Sequence, residues 1–357
     1  MITINSIKGK NKQAVIKTVT KTMNDSGWTS FIKGKKVFIK INLVSSQVIP
    51  GLCTSPWVLE GVLKELSKKN FKITVGDCDV ATTNQVELAA KNWGILDVCK
   101  KYNAKFINLS KAKTIKVINL NNDIKFLKEI NLPSILFQAD SIITIPVLKT
   151  HNLSLMTCAL KNQWGFLPKY RHNYHNDLDQ VVAEINKTIP VSFCVVDATV
   201  CSEGNSPRCG TPKIVNKIIA GNNLASIDII ASRIIGLDYH EIPYIEKSLK
   251  LGIDGIMSEI FGSYKNEHFR PPAFSFIILI EMFLRKIPVI NYLIFKTFLF
   301  KIFGWLITRY NDTIWYNFEG KRAIKKFLKS NSFYVKEFKK IIYQQVLIPV
   351  LIPETFF

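Results

Sequence analysis

ADSIITIPV, Ala139 to Val147, is apolar at consecutive positions rather than alternate ones. A strand with one wet face alternates; a strand covered on both faces does not, and such strands belong to parallel sheets flanked by helices. Working outward, KVFIKIN (Lys36–Asn42), FKITVGD (Phe71–Asp77), AKFINLS (Ala104–Ser110) and VSFCVVDAT (Val191–Thr199) read as further strands of this kind. Helical patterns separate them. In TSPWVLEGVLKELSKKN, Ser55 is the expected N-cap and Pro56 the first helical residue. NQVELAAKNWGILDVCKKYN reads as one helix, and NNLASIDIIASRIIGL (Asn222–Leu237) as another with a good apolar stripe. Lys111–Lys128 is a polar, Lys-rich excursion. The alternation predicts an α/β fold, a mostly parallel sheet with helices on both faces, followed by a C-terminal apolar helical extension.

With 357 residues, 47% of them hydrophobic and 21% charged, the chain has material for a full core, which excludes a disordered chain. A formal net charge of +21 favours negatively charged partners: an acidic substrate, an anionic membrane surface or nucleic acid. Nucleic acid has no motif or aromatic–basic platform in its favour, and no GxGxxG or Walker-type loop supports nucleotide binding. The seven cysteines form no CxxC pair, so they read as reduced thiols of a cytoplasmic protein. MITINSIKGKNKQ at the N-terminus has no apolar run, and no signal peptide is expected.

After His268 the composition changes. Residues 1–268 are expected to form the α/β domain, with its core at about 36–244, and residues 269–357 a Phe-rich basic helical tail. From Pro271 onward there are 13 Lys/Arg against 5 Asp/Glu. The best window for a membrane span, Ile287–Ile307, contains Lys296 and Lys301, each costing about 2.5–3.5 kcal/mol near mid-bilayer. An in-plane helix at an anionic surface avoids that cost. The tail is therefore expected to lie peripherally at the inner face of the membrane or to form a buried helical subdomain, with a true span the third and least favoured reading.

In parallel sheets ligands sit beyond the carboxyl ends of the strands, where Asn42, Asp77, Lys149, His151 and Asp197 are expected. LKTHNLSLMTCALKNQWGFLPKYRHNYH (Leu148–His175) also gathers three of the five histidines and has no carboxylate. A lone histidine is ordinarily structural; three so close, with Lys149 and Lys161, point to a site for an anion, a metal or a proton. His151 is the candidate acid or base. Lys161, in apolar surroundings, is a candidate low-pKa amine. Asn42, Lys149, Asn162 and Asn205 are candidate substrate ligands; Glu203 and Arg208 share the loop read over Val196–Pro212 with Asn205. A divalent metal through His172, His175, Asp77 and Asp197 is a further expectation. Asp79 extends the acidic pair after the strand, with Thr82 beyond it, and Thr83 or Asn84 caps the next helix.

Taken in order, KINL, VGDCD, the run Ala139–His175, VVDATVCSEGNSPRCGTP and NLASIDIIASRIIGLD resemble domain-of-unknown-function family 362 from about Lys36 to Tyr244. Some members carry ferredoxin-like clusters; the CxxC runs are missing here, so no iron–sulfur cluster is implied. Ala139–His175 also resembles, more distantly, a stretch of nickel-pincer lactate racemases. That resemblance implies His151 as the imidazole moving a proton or hydride, Lys161 as the cofactor-anchoring amine, and His175 or His172 as a metal ligand. The Gly-Gly before the racemase lysine is Ala159-Leu160 here, and the spacing to the second histidine differs. The combined expectation is an enzyme acting on an anionic small-molecule or lipid-linked substrate, of isomerase/epimerase or redox type. The alternative is a non-catalytic, membrane-docked binding module.

Overall fold

The structure, a computed structural model, describes residues 1–80, 85–207, 209–253, 255, 259–273 and 276–346. Thr82, Thr83, Asn84 and Arg208 lie outside the described residues. Twelve strands are formed among those described: β1 (Ile2–Ser6), β2 (Lys36–Lys40), β3 (Lys72–Asp77), β4 (Lys105–Asn108), β5 (Thr114–Ile118), β6 (Glu129–Pro133), β7 (Ser141–Thr144), β8 (Val147–His151), β9 (Leu155–Thr157), β10 (Phe193–Asn205), β11 (Cys209–Gly221) and β12 (Ile260–Phe261). The main sheet runs β12–β1–β11–β10–β7–β2–β3–β4, with β8 and β9 attached beside β10. β2 is parallel to β3 and β7, β3 to β4, and β10 to β7 and β8. β11 is antiparallel to both β1 and β10, so the sheet is mixed but mostly parallel.

The continuous apolar strands have the cause expected of them. Val37, Ile39 and Ile143 pack into one core with Val15, Val19, Val58 and Val62 from the helices Lys12–Asp25 and Pro56–Leu66. Their neighbours Phe38 and Ile142 point into the opposite core with Val181 and Ile185 of the helix Leu178–Thr188. Cys194 and Val196 of β10 meet Ile227, Ile230 and Ile234 of the helix Leu224–Ile235. Helices thus cover both faces.

Several local readings need correction. The helix expected over Asn84–Asn103 is two, Val86–Asn92 and Ile95–Lys101, because Gly94 adopts φ 70, a left-handed conformation that ends one and opens the other. The strand expected from Ala139 to Val147 is also two. β7 stops at Thr144, and Pro146, which has no N–H for a ladder, precedes β8. Lys149 and His151 therefore lie within β8 rather than beyond a strand end. The segment read as a Gly/Pro-rich loop is most of a long hairpin: β10 and β11 are 13 residues each, paired in register from Asn205–Cys209 inward. Asp197 consequently sits inside β10, beside an irregularity between Ala198 and Val200. Finally, the excursion at Lys111–Lys128 contributes to the antiparallel arm β5–β6. Its connecting segment is pinned by the buried Glu184 carboxylate, which accepts the N–H groups of Lys125, Phe126 and Leu127.

In the tail, Phe276–Lys286, Leu299–Arg309, Lys321–Leu328 and Phe333–Val346 are the principal helices. Among the described residues no helix is long and apolar enough to cross a membrane. The final helix is docked on the α/β core: the Phe338 ring meets Trp57 edge-on at 5.0 Å, and Tyr334 Oη donates to Asn216 at 2.8 Å.

Candidate functional site

A chain of buried polar side chains connects the carboxyl ends of β2, β3 and β7 with β8. Lys40, the last residue of β2, pairs with Asp77, the last of β3, at 2.7 Å. Lys40 also donates to the Ile41 carbonyl at 2.7 Å. The Asp77 carboxylate accepts backbone N–H groups from Leu43 at 2.6 Å and Cys78 at 2.7 Å, so the pair is well solvated by the protein. Gly165 lies against it: a β-carbon there would stand 2.8 Å from Lys40 Nζ and 3.0 Å from Asp77 Oδ1. Asn42 follows β2. Its Nδ2 donates to Asn162 Oδ1 at 3.2 Å, and Asn162 Nδ2 donates to Thr144 Oγ1 at 2.7 Å. Lys149 Nζ completes the chain by donating to Asn42 Oδ1 at 2.6 Å and the Leu52 carbonyl at 2.8 Å. Burial pushes Lys149 down to about 8, against the raising effect of Cys53 and Asp77.

His151, Lys161 and His175 adjoin this chain electrostatically. His151 Nδ1 accepts the Leu153 N–H at 3.0 Å, which places the proton of the neutral ring on Nε2. Burial, then the charges of Lys161, Lys149 and His175, hold His151 well below the usual histidine range. Lys161 Nζ is 2.7 Å from Ser154 Oγ. Burial lowers its pKa strongly, with Asp179 pulling the other way and Lys149 adding to the fall. His175 stacks on Trp164 at 6.0 Å and is likewise depressed by burial, then by Arg285 and Lys161. Its Nδ1 is buried without a hydrogen-bond partner, 4.0 Å from Glu281. The local result is a set of nitrogen bases that burial and mutual repulsion keep neutral more readily than usual.

Lys161 is held in place from a distance. Its short helix, Ala159–Asn162, begins on Asp228, whose carboxylate accepts the N–H groups of Ala159 at 2.6 Å and Leu160 at 3.1 Å. Burial raises Asp228 to about 7.

The structure thus brings together Asn42, Lys149 and Asn162 in one hydrogen-bonded chain, with the Lys40–Asp77 pair beside it, where Asn162 Nδ2 reaches the Lys40 carbonyl at 3.4 Å, and with His151, Lys161 and His175 coupled to it or to each other by charge. It places the remaining candidates elsewhere. Asp197 Oδ2 accepts the Ser55 N–H at 2.8 Å, and its other oxygen bonds Thr199, so it braces the turn next to Thr54. Asn205 is at the hairpin tip and accepts the Ala273 N–H at 2.7 Å. His172 Nε2 lies 3.1 Å from the Phe295 carbonyl, and its ring stacks on Phe300 at 3.7 Å. Among the described residues no three His, Cys, Asp or Glu side chains gather as a metal site. Of the four metal candidates, His175 is the one retaining a buried, unbonded ring nitrogen, the fit a single nitrogen ligand needs. Lys40, Ser154 and Asp228 were not singled out from sequence. Lys40 inside the apolar KVFIKIN and Asp228 inside the apolar LASIDIIAS were signals available there, since a charge in a buried element needs a partner. A surface cavity of about 530 Å³ beside Lys72, Lys105 and Lys111 involves none of these residues.

A thylakoid-associated protein of Synechocystis sp. is 25% identical to this chain over 244 residues, 66% of this chain and 74% of its own length. The lactate racemase apoprotein from Thermoanaerobacterium thermosaccharolyticum superposes with a TM-score of 0.41 at 12% identity, over 62% of this chain and 54% of that one, so the match spans about half of the racemase. The family described as Domain of unknown function (DUF362) matches residues 37–233. With more than half of its length matched, the chain belongs to this family.

Proposed function

We propose that the chain is an enzyme acting on an anionic small-molecule or lipid-linked substrate, with Lys149 and Asn162 holding the anion and His151 moving a proton beside it. One observation carries this reading: Lys149 and Lys161 are buried beside the half-buried His151 and His175, and neighbouring cations add to the burial that depresses all four, Lys40 acting on Lys149, Lys149 on Lys161, both Lys149 and Lys161 on His151, and Arg285 and Lys161 on His175. An anion entering there relieves the repulsion, and each ammonium it stabilises adds to its binding. An imidazole that is neutral at pH 7 is ready to accept a proton, and the neighbouring Lys149 favours negative charge developing on the substrate. Lys161 serves as the second base or proton return. Removal and return of a proton at carbon is isomerase or epimerase chemistry, the reaction these groups can perform directly.

The test is exchange in D2O with a panel of small chiral carboxylates and phosphate esters, read by mass spectrometry. Carbon-bound deuterium is expected with the native chain and not with His151→Gln or Lys161→Met. Equal exchange by both variants would remove these residues from the proposal.

Peripheral placement at a membrane surface belongs to the same proposal. It is supported by the apolar side chains that the tail leaves exposed and by the name of the thylakoid-associated relative. A second reading, a membrane-docked binding module without catalysis, draws on those same exposed side chains; it gains if the panel binds without exchange.

A further inference from the structure

Among the described residues, 13 of the 24 exposed large apolar side chains fall between Leu279 and Phe318. They include Phe283 at 63% exposure, Val289 at 68%, Phe298 at 70% and Phe318 at 65%, with Tyr292 and Trp305 among them. A soluble surface scatters such residues singly; a dense group of them marks a surface that is covered by something. The charges around this group indicate what covers it. Among the described side chains, Lys286, Lys296, Arg309, Lys321 and Arg322 are exposed along or just after the same stretch, against one exposed carboxylate, Glu319, between Leu279 and Arg322. Aromatic and aliphatic side chains interleaved with lysine and arginine match the two layers of an anionic bilayer surface, acyl boundary and headgroups.

The same stretch is tied to the candidate site. Arg285 Nη1 donates to the His172 carbonyl at 2.9 Å, and the Arg285 guanidinium stacks on the Phe295 ring at 3.7 Å. Phe295 in turn offers its carbonyl to His172 Nε2 at 3.1 Å, while Phe300 covers the His172 ring at 3.7 Å. His172 and His175 belong to one 3-10 segment, Lys169–Asp177, so the strap's contacts bear directly on the segment that presents His175 to Lys161.

We propose that the strap from Phe276 to Phe318 docks in the plane of an anionic membrane surface and presents the His151–Lys161–His175 cluster to it, so that the substrate is an anionic lipid headgroup. This rests on the anion-binding reading of the cluster. The docking face and the site are tested by separate readouts on the full chain. Sedimentation with vesicles of phosphatidylcholine, with or without phosphatidylglycerol, reads docking. Thermal stabilisation by the water-soluble short-chain phosphatidylglycerol and by inorganic phosphate reads the site.

The native chain is expected to sediment with the phosphatidylglycerol vesicles and not with phosphatidylcholine alone. Phe283→Glu combined with Phe298→Glu, both at exposed positions, should weaken sedimentation by roughly tenfold or more while leaving stabilisation by the short-chain lipid intact. Lys149→Met should do the reverse. Failure of the native chain to sediment, or undiminished sedimentation of the double variant, overturns the docking face. Docking that persists while neither soluble anion stabilises the native chain overturns the anion-binding reading instead. Stabilisation by phosphate but not by the short-chain lipid overturns the headgroup as substrate.

Discussion

Lys149 Nζ and Asn42 Oδ1 are 2.6 Å apart although 107 residues separate them in sequence. The bond joins β8 to the turn after β2 and is the point where the polar chain from the Lys40–Asp77 pair reaches the histidine cluster. Lys149 is 1% exposed, so its ammonium has exchanged water for one amide oxygen and one backbone carbonyl. Two acceptors for three donors leave the charge incompletely compensated, and this is why burial brings it to about 8.

That value fixes a pH dependence. Between about 8 and the ordinary 10.5 the folded chain has released the Lys149 proton while the unfolded chain still holds it. The unfolded state then binds more protons, so Lys149 makes stability rise with pH across this window, and Lys149→Met removes the rise. Affinity for an anion should move the opposite way, falling about tenfold per pH unit above the Lys149 midpoint. Calorimetric titration with phosphate across the same range measures it.

Asp228 produces a slope of opposite sign. Its carboxyl holds a proton up to about 7 in the folded chain but only to 3.8 when unfolded. From 3.8 to about 7 the native state binds more protons, so its contribution to stability falls as pH rises. Asp228→Asn should flatten that window in urea denaturation. Asp228→Ala should cost about 2–4 kcal/mol at low pH, because two buried N–H groups at the Lys161 helix lose their acceptor, and Lys161-dependent activity should fall with it.

Lys40→Met leaves the Asp77 carboxylate buried and unpaired. The expected loss is about 3–5 kcal/mol in denaturant unfolding, with part of it recovered in the Lys40→Met/Asp77→Asn double variant, which removes the unpaired charge and keeps an amide oxygen as acceptor for the backbone N–H groups. Gly165→Ala should be harmful for the related reason that its methyl group would displace the Lys40 ammonium.

How far the sequence disclosed this arrangement depended on whether the signal was local. Consecutive apolar residues at Ile142–Ile143 and in Val37–Ile39 report burial on both faces, and the structure places them so. The order of strands, and the antiparallel placement of β1 and β11 at one side, depend on pairings more than 190 residues apart and leave no periodic mark. Gly204, Ser206 and Pro207 suggested a loop because turn formers are read by composition; here they occupy the tip of a hairpin whose strands begin several residues earlier. In the site, Lys149 is expected beyond an apolar strand and stands inside β8 instead, because Pro146 divides that strand. Lys40 could not be placed either: its partner comes from the next parallel strand, and only the register of β2 against β3 aligns the two ends.

The proposed proton transfer depends on a neutral His151, and NMR of nitrogen-labelled histidine, assigned with His151→Gln, measures that state directly. The expected result is a neutral Nε2–H ring whose titration midpoint lies well below 6.5 and rises when phosphate is added. A midpoint near 6.5 that phosphate leaves unmoved would contradict it.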